Sequence, residues 1–206
     1  MVNIINSSFE IEQINAIEMI RRIERAGRTC YKSEDKITDE SASGFVKMII
    51  ARGHESVLEH EKISVRIICD RGVSHEIVRH RLNAFSQEST RYCNYSKDSF
   101  GNEITVIIPP ITDEQSIIIW KRAMREAEES YMALITQGVS PQIARSVLPN
   151  SLKTEIVWTC NLRQWRHVLK LRTSTAAHPQ MREIMCPLLI EFKKLLPCVF
   201  EDIPEV

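Results

Sequence analysis

Lys62-Ile63-Ser64-Val65-Arg66-Ile67-Ile68-Cys69 decides how the rest of the chain is read. Ile63, Val65, Ile67 and Cys69 share one side of an extended chain, which is the period of a half-buried strand. Residues 72–82 then suit a helix that feeds an irregular polar loop over 83–103. Upstream, residues 2–8 read as a short strand. Residues 10–26 read as a helix, with Ile11, Ile14, Ile17 and Ile20 at threefold spacing and Gly27 as its stop. Residues 39–52 form a second helix, with Ala42, Phe45, Val46, Ile49 and Ile50 on one stripe and Gly53 at its end. Downstream, 104–108 is an apolar strand stopped by Pro109-Pro110. Thr112 and Gln115 make a capping-box pattern for a long helix that ends at Gly138. Ser140-Pro141 opens a short helix, 153–160 reads as a strand, and Asn161 with Gln164 caps a helix to 172. The last helix begins near Pro179. Strands and helices mix without regular alternation. The expected fold is therefore α+β, a small, mainly antiparallel sheet flanked by helices, in a single domain over 1–206.

Composition excludes several functions. The 206 residues carry 27 basic and 27 acidic side chains, and a balanced charge disfavours general nucleic-acid binding. Of the 27 basic residues 17 are Arg, the side chain suited to planar contact with phosphate or carboxylate. The six Cys include no Cys-x-x-Cys pair, so neither a zinc ribbon nor a thioredoxin-like site is indicated. Met1-Val2-Asn3-Ile4 shows no signal-peptide pattern, and no apolar stretch approaches a membrane span. A cytoplasmic protein with reduced thiols and no membrane contact is expected. There is no Gly-x-Gly-x-x-Gly and no Walker loop, so a nucleotide must be held by side chains.

Chemistry concentrates in residues 71–96. Arg79, Arg81, Arg91, Ser89, Thr90 and two Tyr stand where a plain surface loop prefers Lys, Glu and Gly. Guanidinium, hydroxyl and backbone N–H donors together are what a phosphate needs. His75 and His80 are five residues apart, which on a helix turns the second about 140° from the first. That spacing misses the zinc pattern, and no metal site is expected. No Gly-x-Ser-x-Gly elbow accompanies the Ser and His residues.

Arg79-His80-Arg81, seven residues, then Ser89 resembles the Arg-His-Arg-x7-Ser signature of the flavin-dependent thymidylate synthase family. Gly53-His54-Glu55-Ser56 through Glu59-His60, Gly138 through Pro149, Trp158 through Arg163 and Leu169 through Arg172 resemble further landmarks of that family, in order. The resemblance implies reductive methylation of dUMP to dTMP. It implies 5,10-methylenetetrahydrofolate as carbon donor, FAD as hydride donor and NADPH as its reductant. It also implies a homotetramer with sites shared between subunits. By matching position, Ser56, Arg79, His80, Arg81, Gln87, Asn161, Leu162, Arg163 and His167 are expected on FAD. Glu76, Ile77, Val78, Arg79, Gln87, Glu88, Ser89, Thr90 and Arg91 are expected on dUMP. Arg145 is expected on the nucleotide phosphate, from another subunit, and Arg172 beside the uracil ring as the catalytic residue.

The chain departs from the common family pattern at four places. Ala84, Ser86 and Gln87 stand where Ser, Asn and Glu are usual, and Glu76 where Gln is usual. Two other functions use the same residues. A non-enzymatic nucleotide or single-stranded RNA module predicts steep salt dependence of oligonucleotide binding. A metal-dependent hydrolase using the His residues predicts metal in the purified protein.

Overall fold

The alternation over 62–69 holds: Ile63, Val65, Ile67 and Cys69 are all buried in strand β3, Lys62–Asp70. A computed structural model describes residues 2–97 and 100–205. Met1, and residues 98 and 99 of the loop expected over 83–103, lie outside the described residues, as does Val206. The other strands are β1 (Asn3–Ile5), β2 (Ser8–Ile11), β4 (Ala84–Gln87), β5 (Thr105–Ile107) and β6 (Lys153–Asn161). The helices are α1 (Ala16–Thr29), α2 (Ser41–Ala51), α3 (Arg71–Ile77), α4 (Glu114–Thr136), α5 (Pro141–Ala144), α6 (Leu162–Arg172), α7 (Pro179–Leu195) and α8 (Pro197–Phe200). Four strands form an antiparallel sheet of order β2-β3-β6-β4, and β1 pairs with β5 in a separate parallel ladder. The fold is α+β.

Several boundaries differ from expectation for identifiable reasons. The segment 2–8 is two strands, because β1 belongs to one sheet and the following Ser8–Ile11 to the other. The first helix therefore starts late, at Ala16, where Asn15 Oδ1 accepts the Glu18 N–H at 3.1 Å. Gly27 does not stop that helix. It lies inside it, where a Cβ would stand 2.6 Å from the Phe45 ring, so packing selects the glycine. The long helix is capped by Asp113, whose Oδ1 accepts from Ser116 N at 2.8 Å, rather than by Thr112. α3 ends at Ile77, five residues early. Its buried stripe is Val73, Ser74 and Ile77, and beyond it Val78, Arg79, Arg81 and Leu82 are exposed. Leu82 then takes φ +63°, a conformation that costs a branched side chain energy.

The chain forms two compact units. One comprises residues up to 8, 67–79 and 85–157; the other comprises 9–66, 80–84 and 158 onward. In the first, Tyr95, Ile104, Val106, Met124, Tyr131, Ala144 and Leu152 form the core. In the second, an aromatic column runs Trp158, Trp165, Phe192, Phe200, with successive ring centroids 4.7, 5.2 and 5.0 Å apart. Trp165 Nε1 donates to the Ile63 carbonyl at 3.0 Å, so the column is tied to β3. The same unit buries Arg166. Its guanidinium grips Asp202 with two hydrogen bonds of 2.6 and 2.7 Å, reaches Glu55 at 3.2 Å and donates to the Val199 carbonyl.

Candidate active site

The family residues gather into one cluster within each unit. In the second unit the centre is His80. It is buried, and its ring stacks on Trp158 at 5.5 Å with an angle of 26°. Arg172, at the last turn of α6, donates from Nε to His80 Nε2 at 3.0 Å. A nitrogen that accepts from a guanidinium carries no proton, so His80 is neutral with its proton on Nδ1. Burial, then the charges of Arg172 and His167, push its pKa down from the ordinary 6.5 to about 4. His167 meets the His80 ring edge-on at 6.5 Å.

The same unit holds two cavities that share lining residues, one of them beside His167. One, of about 500 Å³, is lined by Leu82, Asn161, Arg163 and His167 among others. A second, of about 580 Å³, is lined by Arg28, Phe45, His54 and Ser56. Arg163 and Glu55 border both. Both volumes are in the range of small-molecule sites. Arg163 is exposed and its Nη1 donates to Glu59 Oε1 at 2.6 Å. The Asn161 side chain caps α6, Oδ1 accepting from Gln164 N at 2.8 Å, so what it can offer a ligand is its amide nitrogen. Arg81 and Ser56 are exposed. Leu162 is fully buried, and its N–H is spent on the Glu61 carbonyl.

In the first unit, Asp70 Oδ1 caps α3 through Val73 N, and the helix delivers Glu76 to its last turn. Ile77 is buried; Val78 and Arg79 are exposed. β4 places Gln87 half-buried beside two buried hydroxyls, Ser74 and Thr154. β4 was invisible in the sequence because its inward residue at 87 is polar. Glu88 is fully engaged: Oε2 accepts from Lys153 Nζ at 2.8 Å and Oε1 from Tyr95 Oη at 3.0 Å. Its carboxylate holds the loop rather than facing outward. Residues 89–93 turn tightly, with Tyr92 N and Cys93 N both donating to the Ser89 carbonyl at 3.0 Å. Arg145 Nη1 reaches Thr90 Oγ1 of its own chain at 3.2 Å. Arg91 lies over the Tyr92 ring at 5.5 Å. Ser89, Thr90, Arg91 and Arg145 are thus a compact set of hydroxyl and guanidinium donors. Among the described residues no group of three or more His, Cys, Asp or Glu could hold a metal ion. No helix there is long and apolar enough to cross a membrane.

Sequence reasoning missed the partners that hold this machinery: Trp158 under His80, Ser74 and Thr154 behind Gln87, Lys153 and Tyr95 on Glu88. Trp158, Thr154 and Lys153 lie more than 60 residues along the chain from the residue they serve, and Ser74 and Tyr95 lie on other elements or in the loop beyond it. No local pattern links them.

His80 has a measurable consequence. Unfolded, it takes up a proton below pH 6.5; folded, it refuses one until about 4. The unfolded state therefore binds more protons between those values, and stability falls as pH drops from 6.5 toward 4. The full loss is about 3 kcal/mol. Urea unfolding at pH 7.5 and pH 5 checks this against His80→Gln, which keeps an acceptor but does not titrate. The wild-type protein should lose more stability than the variant; equal losses would refute the buried neutral histidine.

The flavin-dependent thymidylate synthase of Geobacter sulfurreducens is 32% identical over 184 residues, covering 86% of this chain and 78% of that protein. The Mycobacterium avium protein of the same name is 34% identical over 200 residues, covering 87% and 78%. The solved UMP/dUMP methylase PolB from Streptomyces cacaoi, bound with 5-Br dUMP, shares the fold, with a TM-score of 0.78 at 24% identity over 97% of this chain and 95% of that one. The family model described as thymidylate synthase complementing protein matches residues 14–198, and with those identities the chain belongs to that family.

Proposed function

We propose that the protein is a flavin-dependent thymidylate synthase, methylating dUMP to dTMP as one domain over 1–206. The residues present fit FAD: two adjoining cavities share Arg163, and the apolar Phe45 and Val57 stand beside the cations Arg28 and Arg163. Ser56, Asn161, Arg163 and His167 would hold it, with Arg79, His80, Arg81, Gln87 and the Leu162 backbone completing the set. Bound reduced FAD, regenerated by NADPH, supplies the hydride, and 5,10-methylenetetrahydrofolate supplies the carbon.

The chain's own part is positioning and field. Ser89, Thr90, Arg91 and Arg145 bind the nucleotide phosphate as a donor set. Glu76, Ile77 and Val78 border the nucleotide at the end of α3. Attack through C5 pushes negative charge onto N3 and the carbonyl oxygens of uracil. A fixed guanidinium stabilises that charge without exchanging a proton, and Arg172 is that group. The neutral His80 fixes it: an imidazolium there would repel the guanidinium and have no lone pair for Nε. The Arg172–His80 bond is the observation that carries this function. No cysteine nucleophile is required. A homotetramer with shared sites, in the cytoplasm and without nucleic-acid partners, completes the proposal.

The test is a visible absorption spectrum of the purified protein, then titration with dUMP. A flavin spectrum that dUMP perturbs is the expected result. A protein that stays colourless with added FAD and binds no dUMP would overturn the proposal.

A further inference from the structure

Gln87 is anchored in one direction only. Its Nε2 donates to Ser74 Oγ at 2.9 Å and to Thr154 Oγ1 at 3.1 Å. Both hydroxyl residues are buried, at 0% and 1% exposure. Ser74 Oγ gives its own proton to the Arg71 carbonyl at 3.0 Å. It can therefore only accept from residue 87. That settles which end of the amide points inward: both protons of Nε2 are spent, and Oε1 is left as an acceptor. Gln87 is half-buried, and among the described residues its side-chain hydrogen bonds are those two from Nε2, with none to Oε1. A glutamate at 87 has no proton to give at neutral pH. It would force both hydroxyls to turn, and Ser74 would release Arg71.

We infer that Ser74 and Thr154 are positioning residues that make Gln87 a one-way acceptor, so that the nucleotide is selected through a hydrogen-bond donor it presents there. This rests on residues 87–91 being the nucleotide stretch of the proposed function. dUMP carries two such donors, the ring N3–H and the ribose 3′-hydroxyl. A site built to hydrogen-bond a donor rejects the analogue that lacks it far more strongly than an apolar pocket rejects a missing methylene.

The test is calorimetric binding to the flavin-loaded protein, with no turnover. The ligands are dUMP, N3-methyl-dUMP and 3′-deoxy-dUMP. The wild-type protein should bind one of the two analogues at least about 10-fold more weakly than dUMP, and which one names the donor. In Ser74→Ala/Thr154→Val the freed amide can turn either end outward. The preference should shrink to about threefold or less, as in Gln87→Leu. Thr154→Ser, which keeps the hydroxyl, should retain it. A merely structural role would weaken all three ligands alike and leave the ratio intact. Should the double variant not fold, the near-isosteric Thr154→Val alone carries the comparison, with a partial loss of preference expected. An unchanged ratio in Thr154→Val and Gln87→Leu, or a wild-type protein that accepts both analogues as well as dUMP, would overturn the inference while leaving dUMP binding intact. Absence of dUMP binding altogether would instead remove the proposed function beneath it.

Discussion

Arg172→Ala should cut the rate of dUMP methylation by about 10²–10³ while leaving the flavin bound. The factor is that of losing one preorganised charge from a transition state, about 3–4 kcal/mol. Arg172 is held by its Nε bond to His80 at 3.0 Å, so its guanidinium meets developing charge on uracil without reorganising. Arg172→Lys should recover only part of the rate. An ammonium keeps the charge but cannot both meet His80 and present a planar edge. Single-turnover kinetics at saturating dUMP separates the rate from affinity, and the absorption spectrum checks the flavin. A variant retaining a third or more of the wild-type rate would remove Arg172 from catalysis.

Asp202→Ala should lower stability by about 2 kcal/mol, because it strips the buried Arg166 guanidinium of a half-exposed carboxylate partner whose contribution solvent already screens in part. Arg166 is 1% exposed, and Asp202 receives two of its hydrogen bonds. Those bonds hold the Asp202 carboxyl below its ordinary range. Without Asp202 the guanidinium keeps, among the described residues, Glu55 at 3.2 Å and the Val199 carbonyl. The midpoint of urea unfolding reads the loss, and Asp202→Asn, which keeps one acceptor, should fall between. A loss below 1 kcal/mol would mean that Glu55 alone satisfies the buried cation. Glu55 precedes Ser56, so the variant should also weaken flavin retention.

The strand at 62–70 and the helix 162–172 were legible because their signals are local: an uninterrupted alternation, and an Asn cap that the structure finds in place. Arg79-His80-Arg81 and Ser89 were legible as a motif for the same reason. What stayed hidden depends on distant chain. β4 has an inward Gln that looks like loop until Ser74 and Thr154 are seen behind it. Gly27 looked like a stop until Phe45 supplied the reason for a missing Cβ. The neutrality of His80 follows from Trp158 and Arg172, 78 and 92 residues away, and no window of sequence contains all three.

The parallel pairing of β1 with β5 also sets a timetable. Asn3, Ile4 and Ile5 align with Thr105, Val106 and Ile107, and the backbone bonds Asn3 N to Ile104 O and Ile5 O to Ile108 N close that ladder at 3.0 Å each. Asn3 cannot find Thr105 until 102 more residues have been made. At about 5–20 residues per second that is a wait of roughly 5–20 s on the ribosome. During it β1 has no partner, and its ladder forms only after a long loop has closed. Among the described strands, the earliest in the chain waits longest for its partner.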